Sequence, residues 1–203
     1  MKKPLIILSI LILVFVGCKK ENELKKSVFV YDNESEGLPA YSEWGYNTFG
    51  AYYDRDIFIS NNHVVPAKVV VSKDTMSFIL DGQKGNSNDY YDSYIAMTMT
   101  FRFAGFTPQQ YSNLTVLNDT IFDLKGKSCH VLMSINNEKE DTIKILSGTL
   151  TFKRAQNLQV DKKPIEVILS GYFEFQALVK NKLITISDGR FDIGISPDNF
   201  YNY

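Results

Sequence analysis

Tyr94 to Phe103 reads YIAMTMTFRF, and its period is two. Ile95, Met97, Met99, Phe101 and Phe103 alternate with Tyr94, Ala96, Thr98, Thr100 and Arg102, so an extended chain puts the large apolar groups on one face. The same alternation returns twice. Phe173, Phe175, Ala177 and Val179 alternate with Tyr172, Glu174, Gln176 and Leu178, and Phe191, Ile193 and Ile195 alternate with Arg190, Asp192 and Gly194. Each run is a strand with one face in a core and the other wet or half-covered.

Turn residues divide these runs. Ser72-Lys73-Asp74 separates Val69–Val71 from Met76–Leu80, and Lys125-Gly126-Lys127 separates Ile121–Leu124 from Cys129–Ile135. Asn136 to Glu140 precedes Thr142–Phe152, and Lys180-Asn181-Lys182 joins the last long pair. No segment has the 3.6-residue period of an amphipathic helix; Thr107 to Ser112, with Thr107 as cap and Pro108 in the first position, predicts a single helical turn. The fold expected is all-β: an antiparallel sandwich or flattened barrel of about nine to eleven strands.

The chain begins differently. Met1-Lys2-Lys3 is basic, and Leu5 to Val16 is apolar except for Ser9. Twelve helical residues span about 18 Å, short of the roughly 30 Å hydrocarbon core, so the pattern predicts a secretory signal rather than a transmembrane helix. Removing residues 1–17 leaves 186 of the 203 residues, enough for one well-cored domain. Only Lys2 and Lys3 are lost from the charge count, so 20 basic residues face 23 acidic ones and the net charge is about −3. No basic block marks a nucleic-acid partner.

Phe15-Val16-Gly17-Cys18 resembles the lipobox of bacterial lipoproteins, and the charged run Lys19 to Glu23 resembles the export signal of Bacteroidota-type lipoproteins sent to the cell surface. Gly45-Tyr46-Asn47-Thr48-Phe49-Gly50 is similar to the G-x-N-T-F-G start of uncharacterised lipoprotein families of that type. Ser170 to Phe175 and Ile184 to Asp192 (ITISDGRFD) are similar to their C-terminal strand pair. The resemblance implies a signal peptide over 1–17, acylation of Cys18, a lipidated N-terminus and tether over 18–43, and one β domain over 44–203. It implies an outer-membrane, surface-exposed location, with the membrane as a partner through the lipid, and it supplies no activity. Asp188-Gly189 reads as a turn or bulge.

With Cys18 acylated, Cys129 has no intramolecular partner, and its alternation with Val131, Met133 and Ile135 predicts a buried thiol. His130 would point to the opposite face, which argues against a Cys–His nucleophile.

Twelve tyrosines are the compositional oddity. Trp44, Tyr90, Tyr91 and Tyr94 are the candidate contacts for a glycan or an envelope protein, since a ring with a polar tip suits both. Asp89/Asp92 and Asp188/Asp192 are the carboxylate pairs an acid/base hydrolase would use. A third reading is an accessory subunit of an outer-membrane assembly. Thr75, Thr120 and Thr142, each in an Asp-Thr-apolar tripeptide, resemble O-glycosylation acceptors of exported Bacteroidota proteins. Calcium-loop, H-E-x-x-H, G-x-S-x-G and phosphate-loop motifs are missing from the sequence, and His63 and His130 are too few for a zinc site, so no metal or cofactor is expected.

Overall fold

A computed structural model describes residues 26–60, 65–85 and 94–203. The described residues form twelve strands: β1 Thr48–Tyr53, β2 Asp56–Ser60, β3 Ala67–Ser72, β4 Thr75–Gly85, β5 Ile95–Ala104, β6 Thr120–Asp123, β7 Cys129–Ile135, β8 Asp141–Thr142, β9 Lys144–Val160, β10 Lys163–Val179, β11 Lys182–Ile195 and β12 Phe200–Asn202. One sheet holds them in the order β6-β9-β10-β11-β1-β2-β4-β5-β7-β8, with β3 paired to β4 and β12. All pairs are antiparallel except β3–β12. The two shortest strands, β8 and β12, have too few residues to show a period in the sequence.

The alternation read from the sequence sets the core. Met97, Met99, Phe101 and Phe103 of β5 are buried, as are Phe173, Phe175 and Ala177 of β10 and Phe191, Ile193 and Ile195 of β11. The sheet curls until its two halves face each other across these side chains. Phe78 on β4 lies 5.9 Å from Phe152 on β9 and 5.3 Å from Phe191, and Phe101 lies 5.5 Å from Phe173. The result is a flattened half-barrel filled by aromatic rings in tilted and edge-on contact, the arrangements their quadrupoles favour.

Hairpin turns follow local chemistry. Val179 pairs with Lys182 across Lys180 and Asn181, and Val160 pairs with Lys163 across Asp161 and Lys162. All four turn residues have positive φ, the backbone of a two-residue type I′ turn. The β1–β11 and β10–β11 ladders slip register at Asp188-Gly189, where Asp188 has φ 51°, so this is a bulge within β11.

One expectation is corrected. The helical turn lies at Tyr111–Leu117, as a 3₁₀ helix, rather than over Thr107–Ser112. Its start is fixed by Asn113, whose side chain accepts the Gln110 N–H at 3.0 Å, and by burial of Leu114 and Leu117. Pro108 is buried but offers no such acceptor.

Residues 27–43, part of the segment read as a tether with room for one added strand, are bonded to the domain. They form a strap across the outer face of the sheet: Ser27 donates to Asn47 O (2.8 Å), Val28 N to Tyr46 O (2.8 Å) and Ala40 N to Val30 O (2.7 Å). Leu38 is fully buried beneath it. Among the described residues no helix is long and apolar enough to cross a membrane.

Candidate functional site

The site is built on the outer face of β9, β10, β11 and β1. Inward residues alternate with an outward set that runs Arg154, Thr151, Thr149 and Ser147 on β9 beside Ser170, Tyr172, Glu174 and Gln176 on β10. Asp192, Arg190, Ser187 and Thr185 follow on β11. The strap covers one half of this face and leaves the other open.

Asp192 holds the covered half. It is 2% exposed, and its carboxylate accepts from Trp44 N (3.1 Å), Gly45 N (2.8 Å), Tyr46 N (3.1 Å), Ser170 Oγ (3.0 Å) and Ser42 Oγ. Three successive backbone N–H groups curled around one anion form a nest, which neutralises a buried charge without a cation. Arg190 is the second clasp. Its Nη1 pairs with Asp32, its Nη2 donates to Ser35 Oγ at 3.1 Å, and its Nε donates to Asp188 O at 3.1 Å. The Asp32 carboxyl is held below its ordinary value by the Glu34 N–H and then by Arg190. Tyr41 stacks on Tyr172 with ring centres 4.3 Å apart, and burial raises both phenols. Glu166, beside Gly45 and Gly194, is raised by burial and then by the Asp192 charge.

The open half is a groove. Its first part has a volume of about 350 Å³ and is lined by Thr149, Thr151, Tyr172, Glu174, Asp188 and Arg190. The second, about 280 Å³, runs on past Glu174 to Ser147, Gln176, Thr185 and Ser187. Gly189 and Gly148 pair with the inward-facing Phe173 and Phe175 and let the strands approach closely: a Cβ on Gly189 would lie 2.1 Å from Phe173 O, and one on Gly148 2.3 Å from Glu174 O. A separate, more apolar cavity of about 380 Å³ opens at one end of the half-barrel between Met133, Ile135, Ile143, Leu178 and Val179, with the Lys180–Glu138 pair (2.6 Å) at its rim.

The residues expected at a site are dispersed. Trp44 is 75% exposed on the strap, while Tyr94 is half-buried with its ring over Gly85. Cys18, Tyr90 and Tyr91 lie outside the described residues, as do His63 and the pair Asp89/Asp92. Asp188 and Asp192 do not share a pocket: Asp188 sits on the exposed bulge, and Asp192 is engaged under the strap. Glu174 is the carboxylate that meets Asp188 in the groove. Thr75 donates to Ser72 O at 3.2 Å, Thr120 is half-buried on β6 and Thr142 is exposed on β8. Cys129 is fully buried and its thiol is pushed up to about 12 by that burial, with His130 exposed on the other face.

Tyr172 and Glu174 were hidden in the sequence because they occupy the wet positions of an ordinary strand, where tyrosine is common. Compared with known families, curated proteins and solved structures, the chain matches no family model, no curated protein and no solved structure.

Proposed function

We propose that the chain is a non-catalytic surface lipoprotein, moored to the outer membrane by acyl chains on Cys18, whose β domain binds glycan in the groove of β9, β10 and β11. One observation carries the binding reading. The groove lines hydroxyls, carboxylates and an amide along a depression with the partly exposed Tyr172 ring (43%) at its edge. A sugar presents hydroxyls around its rim and C–H groups on its faces, so such a surface matches it in both chemistries. An envelope protein would be better served by a broad apolar patch than by a polar trough.

Ser27 is bonded to the domain, so the nine residues from Cys18 to Lys26 set an upper limit of roughly 30 Å on the distance between the domain and an acylated Cys18. Each buried methylene contributes about 0.8 kcal/mol to lipid anchoring, and two or three acyl chains make it persistent. The groove would then work close to the membrane surface.

A hydrolase is the second reading, favoured by Glu174 and Asp188 lining one groove. Both are exposed, whereas a general acid at neutral pH needs a carboxyl desolvated enough to keep its proton. Binding without turnover is therefore the conclusion.

The test is a glycan array probed with the full chain in detergent and with its Tyr172→Ala variant. Retention of selected glycans without cleavage, weakened by the variant, supports the reading. Release of shortened products favours the hydrolase, and binding indifferent to Tyr172 removes the groove from it.

A further inference from the structure

The groove's shape and charge define which glycans it takes, on the reading of it as a glycan site. Its two parts lie in line and share Glu174. From Tyr172 to Gln176 the strand advances four residues, about 13 Å, enough for more than one sugar ring. At one end the strap forms a wall, where Tyr41 stacks on Tyr172 and Arg190 is tied to Asp32 and Ser35. The other end runs out over Gln176 and Thr185.

The charges along it are one-sided. Glu174 and Asp188 are both exposed to the groove. Arg190 is the only cation among the lining residues of both parts, and Asp32 already matches its charge. Its Nε is also engaged, by the carbonyl of Asp188. A ligand carboxylate or sulfate would therefore meet two like charges and no free cation. A ligand ammonium would meet two acceptors. Like-charge juxtaposition is an effective way to reject a partner of otherwise suitable shape.

We propose that the groove takes an extended chain of neutral or amino sugars and rejects chains of uronic acids or sulfated sugars. The carboxylates of Glu174 and Asp188 act as the filter, and the hydroxyls and the Tyr172 ring supply contacts common to all sugars.

The test compares the full chain in detergent with its E174Q/D188N variant. Both positions are exposed, and Asn tolerates the positive φ of residue 188, so the variant keeps the fold. The probes are an array of neutral, amino and anionic glycans, followed by titration calorimetry with tetramers of N-acetylglucosamine, glucosamine and galacturonic acid. The wild type is expected to bind the neutral and amino chains. The galacturonate tetramer should bind more weakly by about threefold to thirtyfold at low salt, the range two partly screened charge contacts allow. The variant should bring the three tetramers to within about threefold of one another by losing the penalty on the acid and the gain on the amine. Equal binding of galacturonate by the wild type, or a charge preference that survives in the variant, overturns the filter and leaves the groove as a glycan site. Failure of every class on the array to bind overturns the groove reading itself.

Discussion

Replacing Asp192 by Ala should unfasten the strap. The substitution leaves Trp44, Gly45 and Tyr46 N–H groups without their acceptor and frees the Ser42 and Ser170 hydroxyls. Hydroxyls can rotate toward other partners, but three backbone donors cannot. An orphaned buried donor costs about 1–3 kcal/mol, so three set an upper limit near 9 kcal/mol. The strap can lift instead and let water satisfy them, which caps the loss at the free energy of docking the strap. A hydrogen bond to a charged group contributes about 1.5–3 kcal/mol, and with the strap free to lift the expected loss is about 3–4 kcal/mol. Amide hydrogen exchange reads it locally. The amides of Val28, Asp32, Leu38 and Ala40, bonded within the strap and to Tyr46, should exchange about 10²–10³ faster in the variant. Core amides of β5 and β10 should change far less. Ser170→Ala, which removes one donor, is the control and should cost only about 1 kcal/mol. Strap amides as protected in Asp192→Ala as in the wild type would refute the reasoning, because the carboxylate would then not be what holds the strap.

Three further outcomes follow from the same geometry. Asp32 and Glu166 should give opposite pH signatures: the lowered carboxyl of Asp32 supplies stability present above its ordinary value near 3.8 and lost as pH falls through the lower folded value. The raised carboxyl of Glu166 favours the fold below its ordinary value of 4.5, and that contribution is lost as pH rises through the higher folded value. Glu166→Gln should therefore raise stability at pH 7 relative to the wild type and weaken the fall of the denaturation midpoint as pH rises above 4.5, whereas a lower midpoint at pH 7 would contradict the sign. Cys129, buried and with its thiol raised to about 12, should resist a thiol reagent in the native state and react only on unfolding; prompt modification without loss of fold would contradict its place in the core. Phe152→Ala, which empties a position ringed by Phe78, Phe103, Phe122 and Phe191, should lower stability by about 3–5 kcal/mol in urea titration; a loss under 1 kcal/mol would mean that the two halves of the sheet do not share this core.

What the sequence made legible was the part of the structure that follows from local period. Met97 to Phe103 and Phe173 to Ala177 alternate because one face packs, and that alternation alone led to an all-β fold. Lys180-Asn181 announced its turn by polarity between two apolar runs. The strap was not legible because its one apolar run, Val28 to Tyr31, is short and stays largely exposed. Leu38 is its one fully buried large side chain, and its main clasps, Asp192 to Trp44 and Arg190 to Asp32, join residues separated by 148 and 158 positions. No local pattern encodes such a pairing. The site was obscured for a related reason. Asp192 stood out in the sequence as one of a carboxylate pair, yet in the fold the strap covers it and turns it into an anchor. Tyr172 and Glu174 look like any solvent-facing positions until the pairing of β9, β10 and β11 and the bulge at Asp188 set a groove beside them.

The most direct test of the groove as a binding site is hydrogen exchange of the full chain with and without a glycan that it retains on the array. Slowed exchange is expected in peptides carrying residues 147–151, 172–176 and 185–190, the three strand segments that line the groove. Protection confined to other segments, such as the strap around Trp44 or the cavity at Ile143 and Leu178, would contradict it.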